Sequence, residues 1–212
     1  MHNKTIGIFG GTFDPIHFGH LRTALEIYEA LQLSEVRFIP SFQPVHRKMP
    51  IASAEDRLNM VKLAIKNEPA LKVDDCEIKR GGPSYMIDTL RSLEQKDPDA
   101  VFILILGIDA LLKFPTWHRY EEILSMCSLV VAHRPLYQLP QTGIVADLLK
   151  QHLSTQTPTK PGKIILYPVT ALEISATYIR KQIANHKNPR FLLPQTVFKY
   201  IEQHGVYTPN KL

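Results

Sequence analysis

Short apolar segments alternate with longer segments of helical periodicity from the first residues of the chain onward. Residues 5–9 form the first apolar segment, and Leu21, Ala24 and Tyr28 then recur at the spacing of one helix face. This alternation is typical of βαβ units, in which crossover helices join parallel strands. The sequence therefore predicts an α/β fold with a doubly wound parallel sheet and helices on both of its faces.

The same patterns place the remaining elements. Strands are predicted at residues 5–9, 35–40, 71–75, 101–106, 128–132 and 163–167. Helices are predicted after Ser53 and Ser84 as N-caps, at 144–153, at 176–184, and at 194–204 with Gly205 as a stop. Residues 101–106 are apolar throughout, as expected of a central parallel strand. Because no repeat or linker interrupts the pattern, a single domain over residues 1–212 is expected.

Composition narrows the class of protein. The formal charge is +5, but the basic residues are scattered among acids, which favours small anionic substrates over a nucleic-acid groove. The two cysteines, Cys76 and Cys127, are far apart and indicate neither a disulfide framework nor a zinc ribbon. No leader and no apolar run of about 20 residues is present, so no membrane partner is expected and a cytoplasmic location fits best.

A glycine-rich segment follows the first predicted strand and reads GGTFDPIHFGH over residues 10–20. Gly10 and Gly11 would let the backbone turn tightly and let a phosphate approach its N–H groups without a Cβ in the way. The spacing matches neither the dinucleotide fingerprint nor a Walker loop, so neither a hydride-transfer enzyme nor a P-loop kinase is indicated. The segment is interpreted as a phosphate site of another type.

Two histidines, His17 and His20, fall where the chain enters the first helix. At this spacing both imidazoles can face the same side of the helix N-terminus, where they could stabilise charge on a phosphorus centre. A structural capping role is the alternative. A zinc site with Asp14 as third ligand is a further alternative, although no fourth ligand is evident nearby.

A second anion-binding pattern lies late in the chain. Ser175 and Thr177 stand at the start of a predicted helix, and Arg180 follows one turn later. Hydroxyls, helix N–H groups and a guanidinium can therefore converge on one anion. A plain N-cap followed by a surface arginine is the alternative interpretation.

Together these segments resemble the nucleotidyltransferase superfamily that carries an H-x-G-H motif, whose fold is Rossmann-like and distantly similar to class I aminoacyl-tRNA synthetases. The resemblance implies that the late Ser/Thr-Arg helix start holds the triphosphate of ATP. The K-M-S-K-S loop of the synthetases is missing, which argues against tRNA charging.

Residues 83–90, 107–117 and 193–207 extend the resemblance to bacterial nicotinate-nucleotide adenylyltransferases over nearly the whole chain. That resemblance implies transfer of AMP from ATP to nicotinate mononucleotide, giving deamido-NAD and pyrophosphate in NAD biosynthesis, with Mg²⁺ bound mainly through the ATP phosphates. The implied catalytic residues are His17, His20 and Arg180. The implied ATP-binding residues are Gly10, Gly11, Thr12, Phe13, Ser175 and Thr177. The implied mononucleotide-binding residues are His46, Lys48, Tyr85, Met86, Asp109 and Trp117.

Two positions depart from the pattern of the family. Ser41 stands where relatives commonly carry Asn, and Met86 stands where they commonly carry Thr. Both substitutions fall on the acceptor side of the expected site. A sister enzyme, such as pantetheine-phosphate adenylyltransferase or a cytidylyltransferase, and a non-catalytic nucleotide-binding protein on the same fold are the alternatives.

Overall fold

The computed structural model describes residues 4–45, 48–133, 139–170 and 172–208. Its strands, in chain order, are β1 (Thr5–Gly11), β2 (Glu35–Pro40), β3 (Gln43–Pro44), β4 (Leu71–Val73), β5 (Pro83–Ser84), β6 (Val101–Gly107), β7 (Ser128–His133) and β8 (Ile164–Pro168). Six of them form one parallel sheet in the order β4-β2-β1-β6-β7-β8, while β3 and β5 pair with each other. Counted within the large sheet alone, the order is 3-2-1-4-5-6, that of dinucleotide-binding folds.

Helices cover both faces of this sheet. They are α1 (Phe18–Ala30), α2 (Ala54–Ile65), α3 (Cys76–Arg80), α4 (Met86–Lys96), α5 (Ile108–Lys113), α6 (Tyr120–Met126), α7 (Ile144–His152), α8 (Ala176–Ala184) and α9 (Gln195–His204). The core side chains of α1, α2, α8 and α9 form one apolar cluster, and those of α3 to α7 form the other. The predicted doubly wound, Rossmann-like fold is confirmed.

The central strand β6 shows why the sheet is buried on both sides. Phe102, Leu104 and Leu106 belong to the cluster under α3 to α7, while Ile103 and Ile105 belong to the opposite cluster. Successive side chains of a strand point to opposite faces, so an unbroken apolar run supplies both cores at once. β6 pairs with β1 on one side and β7 on the other, as its composition predicted.

Several helix ends agree with the sequence prediction, and one does not. Ser53 caps α2 by accepting the Asp56 N–H at 3.0 Å, and Gly205 ends α9 with a left-handed φ of 57°. The prediction that Ser84 caps a helix is wrong, because Ser84 lies in β5 and α4 begins at Met86. Within the described residues, no helix is both long enough and apolar enough to cross a membrane.

Candidate active site

A cleft of about 990 Å³ opens at the carboxyl ends of β1, β6 and β7. The strand order reverses between β1 and β6, and such a switch point is where doubly wound sheets bind ligands. His46 lies outside the described residues. The other predicted site residues all line the cleft: Gly10, Gly11, Thr12, Phe13, His17, His20, Lys48, Tyr85, Met86, Asp109, Trp117, Ser175, Thr177 and Arg180.

The two glycines lie in a strand and not in the turn where they were predicted. Gly10 and Gly11 do not follow the first strand but are the last two residues of β1, paired with β2. The turn is made instead at Phe13, whose φ is 49°. A Cβ on Gly11 would lie 2.9 Å from Cζ of the Phe13 ring, so glycine gives that ring room to fold back into the core. Phe13 therefore contributes its backbone, rather than its buried ring, to the cleft.

His17 and His20 lie together at the start of α1. Their rings stack with centroids 3.7 Å apart. The main-chain N–H of His17 donates to the ring Nδ1 of His20 at 3.3 Å. Between them, a Cβ on Gly19 would lie 3.0 Å from Nδ1 of His17. The glycine of the H-x-G-H pattern thus leaves space for the first imidazole. His20 thus caps the start of α1 by accepting the main-chain N–H of His17, and both residues line the cleft.

Burial determines the charge of His17. The residue is 6% exposed, and desolvation lowers the pKa of its imidazole from 6.5 to about 4. Its Nδ1 is buried and has no hydrogen-bond partner within the described part of the chain. At neutral pH the ring of His17 is therefore uncharged.

Acidification is expected to destabilise the protein partly through His17. Between pH 6.5 and about 4 the unfolded chain binds a proton at this residue that the folded chain does not. Stability is thus fully present above the unfolded pKa and is lost as the pH falls below it. Between pH 7 and pH 5, wild type should lose about 2 kcal/mol more than H17N in urea unfolding. Equal losses in the two proteins would contradict the burial argument.

The late motif meets the first one at Arg180. Its Nη1 donates to the main-chain oxygen of Asp14 at 2.6 Å, and its Nη2 donates to Thr177 Oγ1 at 3.3 Å. Ser175 is the N-cap of α8 and accepts the Tyr178 N–H at 3.2 Å. Segments 166 positions apart in sequence therefore form one wall of the cleft. Arg180 is not a plain surface arginine.

The buried side chain of Asp14 connects the loop after β1 to two other segments of the chain. Its Oδ2 accepts the N–H of Ile51 at 3.0 Å, and its Oδ1 accepts the N–H of Ala52 at 3.1 Å and the hydroxyl of Tyr207 at 2.7 Å. Both carboxylate oxygens thus accept hydrogen bonds from other segments of the chain. The described residues contain no group of three His, Cys, Asp or Glu side chains that could hold a metal ion.

A buried cation, Arg57, was missed in the sequence. It is 1% exposed and donates to the main-chain oxygens of Thr12 at 2.9 Å and Phe42 at 3.3 Å. The side chain thereby joins the loop after β1 to the loop after β2. Its position could have been found, because Arg57 shares the helical spacing of Met60 and Val61 and so lies on the core face of α2.

The other half of the cleft carries the aromatic residues. Tyr85 precedes α4, and its ring lies 4.8 Å from that of His118. Trp117 is half-buried and packs edge-on against Phe114 at 5.6 Å, leaving part of the indole on the cleft. Asp109 is exposed in the first turn of α5 and does not cap that helix, whose N-cap is Gly107. Trp117 and Asp109 therefore both border the cleft.

Comparison with known proteins identifies the family. A family model described as cytidylyltransferase-like matches residues 8–182. A protein of Hydrogenovibrio crunogenus named "Probable nicotinate-nucleotide adenylyltransferase" is 46% identical, with 97% of this chain and 98% of that protein aligned. A protein of the same name from Aeromonas hydrophila is also 46% identical, over 99% of this chain and 100% of its own length.

Solved structures agree at the level of the fold. The structure of Plasmodium falciparum nicotinic acid mononucleotide adenylyltransferase complexed with NaAD superposes with a TM-score of 0.75 at 18% identity, covering 97% of this chain and 98% of that one. The bacterial relatives are 46% identical over nearly their full length, so they identify the family, whereas the similarity of the fold alone does not. The chain belongs to the nicotinate-nucleotide adenylyltransferase family.

Proposed function

We propose that this protein transfers the adenylyl group of ATP to nicotinate mononucleotide, giving deamido-NAD and pyrophosphate in NAD biosynthesis. The observation that carries the proposal is the contact between Arg180 and the main-chain oxygen of Asp14 at 2.6 Å. It joins the late Ser/Thr-Arg helix start to the H-x-G-H segment at one switch-point cleft. The choice of nicotinate mononucleotide as the acceptor rests on membership of the family.

The reaction needs positioning more than proton transfer. The 5′-phosphate oxygen of the mononucleotide is already an anionic nucleophile, and it attacks the α-phosphorus of ATP as the bond to pyrophosphate breaks. A general base is therefore unnecessary. The protein has to align the two phosphates and stabilise the charge that develops between them.

On the ATP side, hydrogen-bond donors surround the proposed path of the triphosphate. His17 and His20 would donate to oxygens at the reacting phosphorus, with the neutral His17 ring relying on hydrogen bonding. Arg180 and the α8 start at Ser175 and Thr177 would hold the β- and γ-phosphates. The Gly10–Phe13 backbone would line the same phosphates at the end of β1.

On the acceptor side, Trp117 would offer a ring face to the pyridine. Main-chain N–H groups at Tyr85 and Met86 would meet the ring substituent. Asp109 would accept hydrogen bonds from ribose hydroxyls. Lys48, which is exposed on the cleft, would pair with the mononucleotide phosphate, and His46 stays a prediction from the sequence for that phosphate.

Mg²⁺ would be bound mainly by the phosphate oxygens of ATP. Hard oxygen donors suit this ion, and it commonly keeps several waters while binding substrate phosphates. The Asp14 carboxylate is already engaged by three donors, and no metal-binding trio occurs in the described ranges. When bound, the ion supplies charge neutralisation for the leaving pyrophosphate.

The function is tested by pyrophosphate release with ATP plus one acceptor at a time. Nicotinate mononucleotide is expected to react, while nicotinamide mononucleotide reacts less and phosphopantetheine does not react. All three acceptors carry a phosphate, so the proposed contacts around Trp117 and α4 would have to separate them. Turnover with phosphopantetheine alone would replace the acceptor assignment, and no turnover with any of them would favour a non-catalytic nucleotide binder.

A further inference from the structure

One buried side chain holds three segments around the cleft. Arg57 is 1% exposed, and its side-chain acceptors in the described part of the chain are all main-chain oxygens. Besides Thr12 and Phe42, it binds the oxygen of Ala52, which lies 3.3 Å from Nε. A buried cation is tolerated only when such acceptors face it, so Arg57 fixes where these three carbonyls point.

The first contact acts on the turn at Phe13. Its φ of 49° is left-handed, a conformation that a bulky residue keeps only where the surrounding structure holds it. Arg57 donates to the oxygen of Thr12, which directly precedes Phe13. Arg180 donates to the oxygen of Asp14, which directly follows it. Two guanidinium groups therefore hold the carbonyls on both sides of the strained residue.

The contact with Thr12 also orients a hydrogen-bond donor. In a planar trans peptide, the C=O group and the following N–H group point in opposite directions. Because the Thr12 carbonyl faces Arg57, the N–H of Phe13 points away from that buried side chain. Phe13 lines the cleft although its ring is buried, so this N–H is the group that it can offer to an ATP phosphate.

The other two contacts hold both ends of the loop between β2 and α2. Phe42 lies two residues after the end of β2, and Ala52 directly precedes the N-cap of α2. Between them lies Lys48, which is exposed on the cleft and is proposed above to pair with the mononucleotide phosphate. One rigid, planar guanidinium thus joins the base of this acceptor loop to the turn proposed for the ATP phosphates.

We propose that Arg57 is a positioning residue for adenylyl transfer, which sets the alignment between the turn for the ATP phosphates and the loop for the acceptor phosphate. Arg57 does not line the cleft, so it acts only through the carbonyls that it holds. The reaction must bring a phosphate oxygen onto the α-phosphorus of ATP, and a misplacement of about 1 Å can cost about 10²-fold in rate. The proposal rests on the function proposed above and extends it to a residue outside the substrate site.

The test compares R57M and R57K with wild type in steady-state pyrophosphate release. R57M keeps a long side chain without any donor and should lower kcat by roughly 10- to 100-fold. The KM values for ATP and nicotinate mononucleotide should stay within about threefold, because every group proposed to contact substrate is retained. R57K keeps the charge and a donor but lacks the planar fork, so its kcat should lie between those of R57M and wild type.

M60A is the matched control for lost stability. Met60 is fully buried on the same helix as Arg57 but does not border the cleft. Truncating it should lower stability in urea unfolding, while kcat per folded molecule stays within about twofold of wild type. If M60A lost as much turnover as R57M at a similar stability, Arg57 would act only as structural support.

A second measurement reports on the loops without substrate. Arg57 holds the carbonyl that directly precedes the amide of Phe13 and the one that directly precedes the amide of Gln43. In ¹H–¹⁵N spectra, both amide signals should therefore move more in R57K than in M60A. This comparison does not depend on the acceptor that the enzyme uses.

Other outcomes would overturn the proposal. A kcat in R57M within about twofold of wild type would do so, and so would raised KM values with normal kcat. If R57M does not fold, R57K decides: normal kcat with unmoved amide signals refutes the proposal. Wild-type turnover of nicotinate mononucleotide is measured first. Its absence would refute the proposed function itself, whereas normal wild-type turnover with unchanged kcat in the Arg57 variants refutes this inference alone.

Discussion

Replacing His20 by alanine is expected to lower turnover by roughly 10²- to 10⁴-fold, the range found when a donor to developing transition-state charge is removed. The His20 ring stacks on His17 and lies 5.2 Å from the Phe13 ring, at the N-terminal end of α1. Its loss would remove a proposed phosphate donor and leave most of the core intact. Steady-state pyrophosphate release, with urea unfolding in parallel, measures both effects.

Two further variants at this position identify the atom responsible. In H20N the side-chain amide oxygen can still accept the main-chain N–H of His17, as the ring Nδ1 of His20 does at 3.3 Å in wild type. In H20Q the amide reaches further, toward the position of Nε2. If Nε2 is the phosphate donor, H20Q should retain more turnover than H20N. Turnover of H20A within about threefold of wild type, with unchanged stability, would contradict the role given to His20.

Replacing Asp14 by alanine is expected to lower the free energy of unfolding by about 3 to 5 kcal/mol, because three donors lose their acceptor and Arg180 loses its nearby carboxylate. The carboxylate accepts three hydrogen bonds from Ile51, Ala52 and Tyr207. Its Oδ2 also lies 3.6 Å from Nη1 of Arg180. Urea unfolding gives the loss, and turnover should fall as well because Arg180 loses its support.

Two comparisons separate this network from ordinary carboxylate effects. Y207F removes a single hydrogen bond to Asp14 and should cost about 1 kcal/mol. D99A, at an exposed aspartate, should change stability by no more than about 0.5 kcal/mol. If D14A proved as stable as D99A, the buried carboxylate would not be a structural centre of the loop.

The large sheet was predictable because the residues of each strand form a recognisable pattern in the local sequence. All six strands of the large sheet fall on segments predicted from apolar runs, and the unbroken run at 101–106 is central as expected. The short helices α3, α5 and α6 were not predicted. They have 5 to 7 residues, too few turns for a helical period to stand out.

The site was predictable only where residues are adjacent in the chain or resemble a family motif. The H-x-G-H segment and the Ser/Thr-Arg helix start were found in this way. The buried contacts of Asp14 and Arg57 were not, because their partners are brought to them by tertiary packing and not by spacing in the sequence. The turn was assigned to Gly10 and Gly11 because glycine favours turns, whereas the structure uses Phe13 with a positive φ.

The bond between Asp14 and Tyr207 spans 193 positions, and this has a consequence during synthesis. The ribosome releases the loop after β1 well before α8 and α9, and a domain generally folds as a unit. The carboxylate of Asp14 can therefore gain the Tyr207 hydroxyl, and its main-chain oxygen the Arg180 guanidinium, only after residues 180–207 have been synthesised. The final conformation of a loop near the start of the sequence thus depends on segments that are translated much later.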